Sequence, residues 1–376
     1  MNNTGMTTLE VKKINKSKVY QFIYDQQSVS KQLIAQELQM SLTTVTHNLK
    51  ILEEEGFIEK SGQYRSTGGR KANAISIVAT ARISVGIDIL KEMFHLVAID
   101  LYGNILKKET VPIAFSFSLD YCEQVGNHLA TFIDTLGPLK ENILGVGIAI
   151  QGHTSPDRQI ISYGTLMNCT GMSLKMFEQF IPYPCRLEHD STATAYVELW
   201  SQKDIKDALV FILNRNFGGA VIIDRKIQTG LGMRGGSLEH LCLDPNGPKC
   251  YCGKKGCLET YCSADSLKQA AGEELEGFFR KLRKGQKKQI SIWHTYLQHL
   301  AFAIRNLTVV LDCQVILSGF LAPWLVPEDI ELLEHMVQEI APFGLEKGSI
   351  CVNHYGQLAP ATGAALYYIE EFLKTI

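Results

Sequence analysis

Two stretches of the chain repeat the same order of apolar strands and glycine-containing turns, and this repetition constrains the fold most. In the first stretch, a short turn joins "ISVGIDIL" to "FHLVAIDLYGNIL", and "ILGVGIAIQG" follows as a third strand that ends in Gly152. In the second, "ALVFILNRNFGGAVIIDRKI" again gives strand, glycine turn and strand. Apolar runs of this kind are typical of buried strands in α/β proteins. The sequence therefore predicts two α/β lobes with a cleft between them.

Two aspartates mark the expected position of a site. Asp88 and Asp190 each follow an apolar run, and α/β folds bind ligands at the carboxyl ends of their strands. The 376 residues are 45% apolar, which is enough for the cores of two or three domains. We therefore expect both carboxyl groups to face the cleft.

The first 80 residues have a different pattern, which predicts a winged helix-turn-helix. Apolar residues recur at helical spacing in three segments. Ser30 is placed to cap the second helix, and Gly56 is placed to end the third. Two short strands with the polar, glycine-rich tip "SGQYRSTGGRKA" follow and form the wing.

The third helix and the wing carry side chains suited to DNA. Short polar groups on a helix fit base edges in the major groove, and cations on a wing fit phosphates or a narrow minor groove. Residues 1–76 hold ten Lys and Arg against seven Asp and Glu, although the whole chain has a net charge of −2. The alternative is a small helical docking domain. The residues predicted to contact DNA are Thr43, Thr44, Thr46, His47, Asn48, Lys50, Arg70 and Lys71.

Nothing at the N-terminus resembles a secretory signal, and no apolar run reaches the roughly 18 residues of a membrane span. These features predict a cytoplasmic protein that is not a membrane protein. Cytosolic thiols stay reduced, so clustered cysteines there favour metal binding over disulfides.

The segment "KCYCGKKGCLETYCS" concentrates four of the ten cysteines in the chain. Cys250, Cys252 and Cys257, with His240 upstream, give the one-histidine, three-cysteine set that zinc prefers. Four protein ligands leave no position for water, so this zinc is predicted to be structural. Cys242 is an alternative fourth ligand; otherwise Cys242 and Cys262 are expected to be small buried residues.

The cysteine segment, together with "LEHDSTATAYVELW" and "GIDI", resembles the signatures of the ROK family, which comprises repressors, open reading frames and sugar kinases. The resemblance covers nearly the whole chain, and the preceding winged helix is similar to the repressor branch. It implies an actin-like, hexokinase-like (ribonuclease H-like) fold of two lobes.

The segments that bind ATP in kinases of the family are altered here. "GIDI" is followed by Leu90, Lys91 and Glu92 where the kinases have Gly-Gly-Thr, and the second phosphate loop reads Asn214, Arg215 and Asn216. Leucine removes the close backbone approach that glycine permits, and Glu92 adds negative charge beside the phosphates. The third glycine run is reduced to "LSGFL". We therefore expect a sensor rather than an enzyme.

The segments that resemble the family's sugar-binding motifs are closer to the family pattern than the ATP-binding segments are. By resemblance, Asp190 matches the family's catalytic base and His240 a residue that contacts both zinc and sugar. In "GGSLEH", however, Ser237 replaces a sugar-binding glutamate and Glu239 replaces a glycine, which puts the usual hexose ligands in doubt. The alternative for Asp190 is a helix N-cap. The residues expected to bind a sugar are Gly152, Asn168, His189, Asp190, His240 and Glu259.

The sequence thus predicts a sugar-responsive transcriptional regulator, most simply a repressor, that binds double-stranded operator DNA as a homodimer or homotetramer. The predicted domains are residues 1–80 for the winged helix, 81–195 for the first lobe, rejoined by helix 360–376, and 196–359 for the second lobe with structural Zn²⁺. Two alternatives are an active sugar kinase with a DNA-binding domain and a ligand-independent repressor that uses its lobes for oligomerisation.

Overall fold

The computed structural model describes residues 8–63, 73–353 and 355–376. The chain begins with three helices and a two-stranded antiparallel hairpin, as the sequence predicts. Ser30 Oγ accepts a hydrogen bond from the Leu33 N–H, and Ser41 Oγ accepts one from the Thr44 N–H, so a serine caps each of the last two helices. These elements are α1 (Thr8–Gln26), α2 (Lys31–Glu37), α3 (Leu42–Glu54), β1 (Ile58–Gln63) and β2 (Asn73–Ile77).

The first large sheet has five strands in the order β5-β4-β3-β6-β9. Strands β3, β4 and β5 are antiparallel neighbours, whereas β6 and β9 run parallel to β3. A small hairpin, β7 with β8, follows β6. The elements of this part are β3 (Ile83–Ile89), β4 (Phe94–Ile99), β5 (Ile105–Val111), α4 (Leu119–Asp134), β6 (Ile143–Ile150), β7 (His153–Thr154), β8 (Ile161–Tyr163), α5 (Leu174–Glu178) and β9 (Cys185–His189).

The second large sheet repeats this plan with the order β12-β11-β10-β13-β14. Three antiparallel strands again come first, and two parallel strands complete the sheet. Its strands are β10 (Ala208–Leu213), β11 (Phe217–Ile223), β12 (Lys226–Ile227), β13 (Gln314–Ser318) and β14 (Ile350–Val352). The helices from β9 onward are α6 (Asp190–Ser201), α7 (Glu259–Cys262), α8 (Ala264–Ala271), α9 (Leu275–Arg283), α10 (Lys287–Thr308), α11 (Pro327–Ile340) and α12 (Ala359–Thr375).

Helix α12 returns to the first sheet and packs closely on it. Gly86 in β3 and Gly147 in β6 allow this approach, because a Cβ on either residue would lie about 2 Å from a carbonyl oxygen of α12. Apolar residues of α12 also join the core of the N-terminal helices. Phe372 lies 5.6 Å from Phe57 and 6.4 Å from Tyr20, measured between ring centroids.

A second contact joins the N-terminal helices to the first sheet. The rings of Tyr24 in α1 and Tyr102, between β4 and β5, stack with centroids 4.8 Å apart. Tyr24 also donates its hydroxyl hydrogen to the Leu101 carbonyl, and Trp200 near the end of α6 donates to the Tyr102 carbonyl. The winged helix is therefore packed against the first sheet and is not simply tethered to it.

Helices long and apolar enough to cross a lipid bilayer do not occur in the described ranges.

Candidate functional site

The cleft between the two sheets contains a small cavity of about 50 Å³. Four of the six residues predicted to bind sugar line it: Gly152, His189, Asp190 and His240. These residues come from β9, α6 and the loops that follow β6 and β12, so the fold brings together positions that are distant in sequence. Their contact with a ligand stays a prediction.

Asp190 is the first residue of α6 and lies in the wall of the cavity. Its Oδ1 accepts a hydrogen bond from the Ser191 N–H at 2.7 Å and lies 3.3 Å from His189 Nε2. Burial raises the pKa of its carboxyl to about 6. The N-cap position belongs to His189, so the alternative that Asp190 is the cap is wrong. At neutral pH the carboxylate is available as an acceptor.

Two histidines beside Asp190 were partly missed by the sequence analysis. The rings of His153 and His189 have centroids 4.5 Å apart, and burial lowers the pKa of each to about 4. Both are therefore neutral at pH 7, and each can donate and accept one hydrogen bond. His153 directly follows Gly152, just beyond the carboxyl end of β6. Because α/β folds bind ligands at such strand ends, this position could have identified His153 from the sequence.

The altered "GGSLEH" segment forms one wall of the cavity. Ser237 Oγ lies 3.3 Å from His153 Nε2 and so takes part in the site. Glu239 is buried in a short 3-10 turn, lines the cavity, and has a pKa raised to about 8 by burial. Its carboxyl is thus placed to donate a hydrogen bond as well as to accept one. Tyr163 and Tyr251, which the sequence did not indicate, also line the cavity, as does Asn216 of the altered phosphate loop.

The remaining two predicted sugar contacts, Glu259 and Asn168, lie outside the lining of this cavity, and their contact with a ligand also stays a prediction. Glu259 is buried, and its carboxylate accepts hydrogen bonds from the Asn216 side chain at 2.9 Å and the Phe217 N–H at 2.5 Å. In this structure it supports the turn between β10 and β11 and does not line the cavity. Asn168 is exposed, has a positive φ of 53°, and also lies outside the cavity lining.

His240, Cys250, Cys252 and Cys257 converge on one point. Their ligand atoms all lie within 4.8 Å of one another. Cys252 Sγ and Cys257 Sγ are 3.7 Å apart, and Cys250 Sγ is 3.9 Å from His240 Nδ1. A tetrahedral ion with metal–sulfur bonds of about 2.3 Å separates two sulfurs by about 3.8 Å. The cluster therefore fits a tetrahedral metal ion.

The other nearby cysteines do not belong to this cluster. Cys242 is exposed and its Sγ lies 3.6 Å from the Lys255 carbonyl oxygen, so the expectation that it is buried is wrong. Cys262 is fully buried, as predicted, with its Sγ 3.9 Å from the Tyr296 carbonyl oxygen.

A second cavity, of about 320 Å³, lies next to the first. Leu90, Lys91, Glu92 and the loop 214–216 line it, and these are the segments that differ from the family's kinases. Within the loop, Asn214 Oδ1 accepts a hydrogen bond from the Phe320 N–H, and Asn216 is bonded to Glu259. The protein itself therefore uses polar groups that a nucleotide would otherwise contact.

Helix α3 presents most of the predicted DNA contacts to solvent. The exposed residues are Thr43, Thr46, His47 and Lys50, and Thr44 is half-buried. Asn48 is a correction, because its side chain is only 4% exposed and donates back to the Thr44 carbonyl within the helix. Arg70 and Lys71 lie outside the described residues.

Comparison with known proteins agrees with this architecture. The sequence matches the ROK family over residues 84–371 and a winged helix-turn-helix DNA-binding family over residues 13–59. A crystal structure of a ROK family transcriptional regulator, a homolog of the Escherichia coli MLC protein, superimposes with a TM-score of 0.76 over 96% of both chains at 17% identity. At this identity the likeness shows the fold alone.

Two relatives differ in what their names say they do. The N-acetylglucosamine repressor of Escherichia coli O157:H7 is 27% identical over 69% of this chain and 64% of its own length. The N-acetylmannosamine kinase of Escherichia coli O1:K1 / APEC is 30% identical over 53% of this chain and 70% of its own length. The chain thus spans just under two thirds of the repressor's length. With a matching region that covers most of its residues, the chain belongs to the ROK family.

Proposed function

We propose that the protein is a DNA-binding transcriptional repressor whose two-lobed domain senses a sugar. The observation that carries this proposal is the direct packing of a winged helix-turn-helix on a ROK domain whose cleft has a polar, hydrogen-bonding cavity. Related sequences include proteins named as sugar repressors, which supports the same function.

An active sugar kinase is the second candidate, because Asp190 is retained and a kinase is among the relatives. Three features favour a sensor. Leu90 occupies a position where glycine would let phosphate approach the backbone, and Glu92 brings negative charge to the same rim. The side-chain amides of Asn214 and Asn216 are also hydrogen-bonded within the protein. In the sensor, Asp190 accepts a hydrogen bond from a ligand hydroxyl and no phosphoryl group is transferred.

The cysteine cluster is proposed to hold structural zinc. Its four protein ligands complete a tetrahedral shell and leave no open position, which is typical of structural sites. When bound, the ion supplies a crosslink between His240 and the segment 250–257. Because His240 also lines the first cavity, this crosslink fixes one wall of the ligand site.

Repression and release follow from linkage between the two sites. The recognition helix α3 contacts operator DNA through Thr43, Thr46, His47 and Lys50 in each subunit of a homodimer or homotetramer. A sugar that prefers one arrangement of the lobes changes the spacing of the two winged helices, whose half-sites have a fixed separation. A preference of about 100-fold shifts the DNA-binding equilibrium by roughly 2.7 kcal/mol.

The test combines DNA selection with a ligand panel. A duplex enriched from a random-sequence pool by the purified protein is labelled, and its affinity is measured by fluorescence anisotropy with and without each of a set of neutral sugars and sugar phosphates. We expect at least one compound to weaken DNA binding tenfold or more. Robust transfer of phosphate from ATP to any sugar in the panel would instead establish the kinase, and an unchanged DNA affinity throughout would indicate a ligand-independent repressor.

Asp190→Asn tests the residue at the centre of this proposal. The substitution keeps the size of the side chain but removes its charge, and hydrogen bonds to charged groups contribute about 1.5–3 kcal/mol. We expect sugar affinity, measured by calorimetry, to fall at least tenfold while DNA affinity is unchanged. Asp157→Asn is the matched control, because Asp157 is exposed and does not line the cavity. Equal sugar affinity in the two variants would contradict the assigned role.

A further inference from the structure

The two cavities in the cleft are adjacent. Gln151 and Asn216 belong to the lining of both. The first cavity, at about 50 Å³, is small beside the roughly 300–1,000 Å³ that is usual for small-molecule sites, whereas the second reaches that range at about 320 Å³. The volume available to a ligand therefore lies mostly in the second cavity.

The floor of the second cavity carries two buried polar side chains that lack partners. Asp88 in β3 and His95 in β4 are opposite each other in the strand pairing, and each is only 1% exposed. Asp88 Oδ1 and His95 Nε2 make no hydrogen bond with any described residue. A buried polar atom without a partner costs about 1–3 kcal/mol. Both residues belong to the lining of the cavity, where a ligand could supply the missing partners.

The charges around this cavity favour an uncharged ligand. Burial raises the pKa of Asp88 well above its usual value, with a contribution from Asp190, and burial lowers the pKa of His95. Both shifts favour the uncharged form of the side chain. At the exposed rim, the two cations Lys91 and Arg215 are offset by the two anions Glu92 and Asp265.

The walls of the cavity are partly apolar. Leu90, Met93, Phe320 and Pro360 contribute these surfaces. A sugar ring has hydroxyl groups at its edge and C–H groups on its faces, so it matches a site with a polar floor and apolar walls. A nucleotide does not match it, because the balanced rim offers no excess of positive charge to phosphates.

We infer that the effector is a neutral disaccharide or glycoside, with one sugar unit beside Asp190 and His189 and the second unit over Asp88 and His95. This inference rests on the proposed sensor function and specifies its ligand class. The cavity that corresponds to the phosphate loops thus accommodates the second unit of the effector. Gln151 and Asn216 lie where the two units join.

Calorimetry with defined probes tests the inference. The probes are maltose, cellobiose, lactose and sucrose, their component monosaccharides, and ADP. We expect at least one disaccharide to bind at least tenfold more tightly than either of its components, and ADP not to bind. Failure of every disaccharide to bind, or equal affinity for a disaccharide and one of its components, would overturn the inference, as would binding of ADP in the second cavity.

Two variants separate the second cavity from the first. His95→Leu removes the unpaired nitrogen, and we expect it to weaken disaccharide binding about tenfold, the value of one hydrogen bond, without changing monosaccharide binding. Leu90→Trp fills the cavity from its wall and leaves the buried floor intact, with the same expected result. Thr110→Val is the control, because Thr110 contacts the other nitrogen of His95 but does not line the cavity.

The failure of the inference is distinguishable from that of the proposed function. If a monosaccharide releases DNA and disaccharides do not bind, the sensor stands and the inference is wrong. If a disaccharide binds and both cavity variants weaken it, but DNA affinity does not change, the ligand site stands and the regulatory function is wrong. Thermal unfolding of each variant verifies that it is folded before either comparison.

Discussion

The four ligands of the candidate zinc site come from different local structures but lie close together in the chain. His240 ends a 3-10 turn, and the three cysteines lie in the turns between positions 250 and 257. Gly256 is required there, because a Cβ would lie 1.6 Å from the Asp244 carbonyl oxygen and its φ is +70°. The tight turn brings Cys257 back to Cys252. The turns of this segment thus bring three thiols beside the imidazole of His240.

Cys252→Ser is expected to reduce the zinc content of the purified protein and to lower its thermal stability. A serine hydroxyl is a poorer ligand than a thiolate, and metal-binding energy contributes to folding energy at structural sites. Metal content is measured by atomic absorption, and stability by calorimetry. Cys242→Ser is the matched control, because Cys242 is exposed and lies outside the cluster. Retention of one full equivalent of zinc in Cys252→Ser would contradict the ligand assignment.

At the residue scale, the sequence predicts sites best when their members are near one another in the chain. The metal cluster meets this condition, and all four predicted residues converge. The first cavity does not, because its residues come from several separate segments. From the sequence, Glu239 was only a replacement of the glycine that the ROK pattern has at this position. Its burial in the cavity wall depends on tertiary packing, which the pattern does not describe. The prediction that Asn48 contacts DNA was wrong, because its side-chain amide donates a hydrogen bond to the Thr44 carbonyl of the same helix.

At the scale of elements, α6 connects the two sheets. It begins at Asp190 in the cleft, and along its length Glu198 is fully buried. Glu198 accepts a hydrogen bond from Ser318 at the end of β13, at 2.8 Å, and another from the Asn353 side chain after β14. The apolar pattern predicts the strands and the helix, but the sequence does not reveal this carboxyl as a link, because its partners lie more than a hundred residues away.

Glu198→Gln is expected to flatten the pH dependence of stability. Burial raises the pKa of the Glu198 carboxyl to about 7, although the hydrogen bonds from Ser318 and Asn353 act in the other direction. Below about pH 4.5 the carboxyl is protonated in both states. As the pH rises from there through 7, the unfolded chain ionises first, so the folded state loses stability, on the order of 3 kcal/mol in total.

Denaturant unfolding of the wild-type protein and Glu198→Gln at pH 5 and pH 8 measures this effect. The free energy of unfolding should decrease more between the two pH values in the wild type than in the variant. Buried histidines such as His153 act in the opposite direction, but they are present in both proteins and cancel in the difference. Glu123→Gln, on the exposed face of α4, is the matched control. Parallel pH profiles for the wild type and Glu198→Gln would refute the role of this carboxyl.

At the scale of the whole molecule, the two large sheets share one plan, and this much follows from the repeated strands in the sequence. The way in which the winged helix packs on the first sheet does not follow from these repeated strands. Phe57 near the start of the chain meets Phe372 near its end, and Arg82 lies over both rings. No local pattern relates residues so far apart, so this contact between the winged helix and α12 emerges only from the tertiary structure.

This arrangement gives a continuous chain of contacts from the first cavity to the N-terminal helices. Helix α6 has Asp190 at its first residue and Trp200 near its last, and the Trp200 indole donates a 2.8 Å hydrogen bond to the Tyr102 carbonyl. The Tyr102 ring stacks on Tyr24 of α1 at an interplanar angle of 10°. We therefore propose that a displacement of α6 on ligand binding would reach α1 through this tyrosine pair.

Tyr102→Ala is expected to uncouple the two sites. The variant lacks the stacked ring but keeps the backbone carbonyl that Trp200 contacts, so ligand affinity and ligand-free DNA affinity should both change little. The ratio of DNA dissociation constants with and without saturating sugar should fall toward one, whereas Tyr102→Phe, which keeps the ring, should retain the wild-type ratio. Because coupling is reciprocal, the same loss must appear when sugar affinity is measured with and without DNA. An undiminished ratio in Tyr102→Ala would mean that regulation passes through the contact of Phe57 with Phe372 instead.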